Sequence, residues 1–297
     1  MPPDARVSAA PVGTGRWSGP ALVVLAACGF AVQTTLARLS YELGANVITL
    51  LAVRGLVAVA ALYVFFRLMG RSLKLPRRLR LIATGVGLIT CVQAIGVLGA
   101  VDFIPVSLTV LIFYTYPIVV TLAARFTEHS PLTPLKIGAA IAAFGGVALA
   151  VNVSFATLDP RGVALAASAA VALASTSVIG ARVLRGGDPL AMVWQMVATS
   201  TTVFCLLVPF LGGLVFPHGL EGWLAFAGSS FGFVFGAMLF YSMLARIGAQ
   251  RVAMVMNSEP IITIGLAVLI LGETLTPVQM LGGALVIAAI VVVRLRG

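Results

Sequence analysis

Two ionisable side chains stand inside long apolar runs: Arg54, in Leu51-Ala52-Val53-Arg54-Gly55-Leu56, and Glu259, in Asn257-Ser258-Glu259-Pro260. At ~1.5 Å per residue, each lies roughly 10–12 Å inside its run. A charge at that depth of a bilayer costs ~2.5–3.5 kcal/mol, so it must face a cavity or a partner. One reading is a solute site, with Arg54 holding a carboxylate and Glu259 holding an amine or the coupling proton. The plainer reading is a structural ion pair, or hydrogen bonds from Arg54 to a neighbouring helix. Tyr116, Asn257, Gln93, Trp194 and Gln195 sit at comparable depth and complete the candidate substrate-binding set, with Gln33, Thr34, Tyr114 and Tyr241 beside them. Such groups in lipid need partners, and a ligand or a neighbouring helix serves equally. Pro117 and Pro260 each free the carbonyl four residues earlier, at Phe113 and Met256. They are the candidate hinges.

No catalytic or metal-binding constellation accompanies these residues. GxSxG, GxxxxGK[ST], HExxH and a paired aspartate motif are all missing from the sequence. Cys28, Cys91 and Cys205 each sit in an apolar run, and His129 and His218 are far apart. The expectation is a non-enzyme with no metal and no cofactor. With no ATP site, a gradient or an exchange must supply the energy, and protons are the candidate coupling ion.

The elements that position these residues follow from composition. Of 297 residues, 60% are hydrophobic and only 9% charged, and the mean hydropathy is +1.11. Too few charges exist to cover a water-facing surface, which excludes a soluble enzyme, a secreted domain and a disordered chain. The reading is an all-α polytopic membrane protein. Residues 1–18 form a polar, disordered tail. Ten apolar runs of about span length follow, at Pro20–Ala37, Asn46–Leu68, Leu81–Ala100, Pro105–Ala124, Pro134–Val153, Gly162–Val183, Pro189–Leu211, Trp223–Ala245, Val252–Leu271 and Pro277–Val293. Of the 19 Lys and Arg, all but Arg38, Arg54 and Arg161 fall in the tails and the even-numbered connections. The positive-inside bias therefore places both termini in the cytoplasm. The basic cluster Arg71–Arg80 reads as a topology determinant touching anionic lipid, not as a nucleic-acid patch.

The chain also answers itself at a constant offset. Gly19 meets Gly162, Gly44 meets Gly187, Gly85 meets Gly228, Ile104 meets Ile247 and Pro117-Ile118 meets Pro260-Ile261. Five spans per half is an odd number, so the second half must be inverted. The expected organisation is a first repeat over 19–154 (spans 1–5) and a second over 155–297 (spans 6–10). Inverted five-helix repeats are a transporter signature. Gly228, Gly232 and Gly236 form a smooth helix face assigned to packing. Glu128 and Glu273, at span ends, read as interfacial caps.

The repeat pattern, the in-membrane Arg54, Tyr116-Pro117 and the stretch from Asn257-Ser258-Glu259-Pro260 into Leu271-Gly272-Glu273-Thr274-Leu275-Thr276-Pro277 resemble the drug/metabolite transporter superfamily, specifically its EamA group. Thr127-Glu128-His129 is the weaker counterpart in the first repeat. The resemblance implies a secondary active carrier exporting amino acids or similar small metabolites by alternating access. Richness in Arg and Ala, with Lys74 and Lys136 the only lysines, favours a bacterial plasma membrane. The competing classes are an intramembrane enzyme acting on lipid-linked substrates and a passive channel.

Overall fold

The structure is a computed structural model, and it describes residues 18–70, 72–116, 118–120, 134–152, 159–183, 189–247, 252 and 255–296. All regular structure among the described residues is helical. The long helices are α1 (Ser18–Glu42), α2 (Val47–Leu68), α3 (Arg77–Phe103), α4 (Val106–Phe113), α5 (Pro134–Asn152), α6 (Pro160–Val183), α7 (Pro189–Leu207), α8 (Gly219–Ile247), α9 (Glu259–Leu271) and α10 (Pro277–Arg296). Five of the described helices are long and apolar enough to cross a membrane: Gly19–Glu42, Val47–Leu68, Arg77–Phe103, Ala191–Phe210 and Gly219–Phe240. Val106–Val120, Glu259–Leu271 and Pro277–Ala288 are shorter apolar segments. Leu81, Leu206, Phe231 and Leu269 are each more than 60% exposed on the outer faces. Lipid, not water, suits such a surface.

Local chemistry sets the helix starts. Asn46 caps α2 by accepting from the Thr49 N–H at 2.9 Å. Thr276 and Gln279 bond reciprocally ahead of α10, Thr276 N–H to Gln279 Oε1 at 2.9 Å and Gln279 N–H to Thr276 Oγ1 at 3.2 Å. That is a capping box around Pro277. Two expected spans are not continuous. The run Pro105–Ala124 breaks after Phe113 into a turn at Tyr114-Thr115, and Val252–Leu271 breaks into a 3-10 turn at Met256–Ser258 before α9 begins. Hydropathy misses such a break, because the residues on both sides of it are equally apolar.

Helix packing is symmetric under exchange of the two halves. The principal pairs are α1–α8, α3–α6, α5–α10, α3–α7, α1–α9, α2–α7, α2–α8, α4–α6 and α4–α9. Exchanging halves turns α1–α8 into α6–α3, α1–α9 into α6–α4 and α2–α8 into α7–α3. It leaves α2–α7, α4–α9 and α5–α10 in place. Glycine makes the tightest crossings possible. A Cβ on Gly232 of α8 would sit 2.7 Å from the Gly29 carbonyl oxygen of α1, and one on Gly96 of α3 would sit 2.6 Å from that of Leu165 in α6.

The corners of one face are tied together by polar bonds. Asn46 Nδ2 donates to the Gly213 carbonyl at 3.1 Å, Val215 N–H to Thr49 Oγ1 at 2.8 Å and His218 N–H to the Leu43 carbonyl at 2.8 Å. His218 packs against Gly44, whose φ of 103° no L side chain tolerates well. On the same face the Arg38 guanidinium donates to the Val101 and Asp102 carbonyls at 2.7 and 2.9 Å, closing the C-terminal end of α3. Arg161 lies 4.5 Å over the Phe103 ring there.

Candidate functional site

Arg54 lies in the second turn of α2 and is only 5% exposed. Its guanidinium sits 4.4 Å over the Phe233 ring of α8, and Phe30 of α1 flanks that ring at 6.4 Å. A desolvated cation–π contact returns ~2 kcal/mol against the ~2.5–3.5 kcal/mol cost of placing the charge. Phe233 thus offsets most of the charge but accepts none of its protons in the plane. Nη1 is buried without a hydrogen-bond partner, as is the Tyr41 hydroxyl, which lies within electrostatic range of both Arg54 and Asp102. Gly55 permits the close approach of α7. A Cβ there would meet Thr201 Oγ1 at 2.5 Å, and that hydroxyl also lacks a partner.

Glu259 is the first residue of α9. Its Oε2 accepts a 2.6 Å hydrogen bond from the Tyr114 hydroxyl, which also lies 3.4 Å from the Met256 carbonyl. The two helix breaks therefore meet: Tyr114, at the end of α4, holds the acid that opens α9. Phe113 and Tyr116 pack around Tyr114, with ring centroids 5.6 and 5.9 Å from it. Among the described residues Arg54 and Glu259 form no ion pair. The physical reason lies in where the depths are counted from. Arg54 is seven residues from the start of α2 on the tied face, ~10 Å down, while Glu259 lies the whole length of α9 from that face, ~20 Å down. The structural ion pair is thus replaced by two separate poles.

Pro260 is placed differently from the expected mid-helix hinge. It is buried in the first turn of α9, where a missing N–H costs nothing. Its counterpart Pro117 lies outside the described residues. Asn257 contributes backbone to the 3-10 turn, and its side chain, like that of Tyr241, lies outside what is described. Gln195 bridges α7 to α3, donating to Thr84 Oγ1 at 3.1 Å. Trp194 packs against the cluster of Phe66 and Ala191, its buried Nε1 unpartnered. Gln93 is half-buried on α3. None of these three joins the Arg54–Phe233 or Tyr114–Glu259 contacts. Gln33 holds a buried, unpartnered Oε1 while its carbonyl accepts from Ser229 at 2.8 Å.

Glu273 is a cap, as its position implies, but of a distant helix. Its carboxylate accepts from the N–H groups of Val106 and Ser107 at 2.6 and 3.1 Å, opening α4. Glu128 lies outside the described residues. The α9 strip therefore holds both ends of α4, through Glu259 at one and Glu273 at the other. Sequence reasoning missed Phe233, Tyr41 and this cross-repeat bond. The one available signal was the repeat offset, which sets Tyr114 opposite Asn257 and so brings the two breaks together.

Comparison with known proteins agrees with this architecture. A solved crystal structure superposes on 92% of this chain and 97% of its own with a TM-score of 0.63 at 18% identity, a likeness of fold. A protein of Synechocystis sp. named an uncharacterized transporter is 29% identical over 216 residues, 69% of this chain; the chain covers 63% of that relative's length. The profile of the EamA-like transporter family matches twice, over residues 17–152 and 160–295. With both halves matched, the chain belongs to the EamA-like transporter family, multi-pass membrane transporters of the drug/metabolite superfamily.

Proposed function

We propose that the protein is a secondary active carrier of the plasma membrane, exporting amino acids or similar small metabolites by alternating access. In this reading ten spans form two inverted halves, over 19–154 and 155–297, with both termini in the cytoplasm. The observation that carries it is the meeting of two equivalent broken helices through Tyr114 and Glu259. Discontinuous helices at the repeat interface are how carriers place polar groups at mid-membrane. The exchange-symmetric packing supports it, because related halves can trade conformations and open either side in turn. Arg54 serves as the basic pole of the solute site and Glu259 as its acidic pole or as the carrier of the coupling proton. Uptake and efflux in reconstituted vesicles, over an amino-acid and metabolite panel with and without a pH gradient, tests the reading. Movement of at least one compound against its gradient is expected. No movement of any compound, with turnover of a lipid-linked substrate instead, overturns it in favour of an intramembrane enzyme.

A further inference from the structure

We infer that the solute is recognised by a single carboxylate, taken by Arg54 Nη1 with the Tyr41 hydroxyl as a second donor. This rests on the carrier reading above and deepens it. Nη1 and the Tyr41 hydroxyl are both buried donors without partners. Phe233 covers a face of the guanidinium, which leaves the in-plane N–H groups, the ones that pair with a carboxylate. Among the described residues no acid pairs with either of them: Asp102 lies within electrostatic range of Tyr41 but makes no hydrogen bond to it. Glu259 is engaged by Tyr114, and every other Asp and Glu of the sequence stands at a helix end, in a connection or in the N-terminal tail. The counter-charge must therefore come with the solute. Among the described residues Arg54 is the one buried Lys or Arg, and the remaining Lys and Arg lie near helix ends, in connections or in the tails. One cation matches a monoanion and under-compensates a phosphate dianion. Phe30 and Phe233 beside it suit an apolar remainder. A lipophilic cation would meet a buried positive charge with nothing to neutralise it.

The test uses the purified full chain and three probes, L-leucine, L-phenylalanine and 3-phenylpropanoate, each beside its own carboxamide. Thermal denaturation should shift upward with at least one acid and not with its amide. Arg54→Gln should weaken that acid at least about tenfold in apparent affinity. Arg54→Lys should retain part of the response, and Tyr41→Phe should lose part of it without change of fold. Equal shifts from acid and amide, a response that survives Arg54→Gln, or no shift from any of the three acids overturns the inference. Vesicle flux separates its failure from failure of the carrier reading. Efflux of ethidium that ignores Arg54→Gln overturns the carboxylate and keeps the carrier; no flux of acids, amides or ethidium overturns both.

Discussion

Replacing Glu259 by glutamine keeps the side-chain volume and an acceptor for Tyr114 but removes the proton it can carry. Transport driven by a pH gradient should then vanish in vesicles while gradient-free exchange persists. Because Arg54 and Glu259 make no ion pair, neither residue should rescue the other. In Arg54→Gln/Glu259→Gln the changes in unfolding free energy should add within about 0.5 kcal/mol; a coupling well above that, measured by denaturant unfolding, contradicts the two-pole geometry. Tyr114→Phe strips the short bond from Glu259 and should cost about 1–3 kcal/mol in the same assay. At this scale the placement of Arg54 and Glu259 among the helices was legible in the sequence, since an ionisable group in an apolar run must find a cavity or a partner; the place of Pro260 at the start of α9 was not. Nor were Phe233 and Tyr41. With 16 phenylalanines in the chain, nothing local marks the one whose ring faces a guanidinium across two helices.

The elements are held by close backbone crossings and by caps that reach between repeats. Gly232→Val puts a side chain into the Gly29 carbonyl, 2.7 Å from the new Cβ, and should cost about 1–3 kcal/mol or prevent folding. Gly265→Ala, where a Cβ meets nothing within 4 Å, should be neutral or gain up to about 1 kcal/mol. The yield and melting temperature of the two variants check this contrast. Glu273→Ala frees the Val106 and Ser107 N–H groups and should cost about 1–2 kcal/mol, with Glu273→Gln in between. Pro260→Ala provides an N–H that can donate to the Met256 carbonyl and join the 3-10 turn to α9. It should slow transport more than it weakens binding, as a ratio of flux rate to half-saturation shows. Helix positions were legible because lipid demands apolar runs of a set length. The breaks at Tyr114 and Met256 were not, because a proline that restarts a helix and one that kinks it leave the same trace in sequence.

At the scale of the whole molecule, the two-fold pattern of packing ties the residues to a mechanism. The repeat was legible through paired prolines and the odd number of runs per half. The helix pairs that the symmetry exchanges were not, since they join residues distant in sequence. The tied face carries Arg38 and Arg161 as its basic residues, beside Glu42, Asp102, Asp159 and Glu221, and in the proposed topology the bias of Lys and Arg puts it in the periplasm. In a chain lacking Cys28, Cys91 and Cys205, a cysteine at Arg161 should react with an impermeant thiol reagent in intact cells, and one at Lys74 should not. The reverse pattern inverts the topology. Alternating access by exchange of the two halves is the central claim, and counterflow in vesicles tests it most directly. For a transported solute, adding the unlabelled compound on the far side should accelerate exit of the labelled one, and Arg54→Gln should abolish that acceleration. Exit that proceeds at one rate whatever stands on the far side would make the protein a channel and contradict the account.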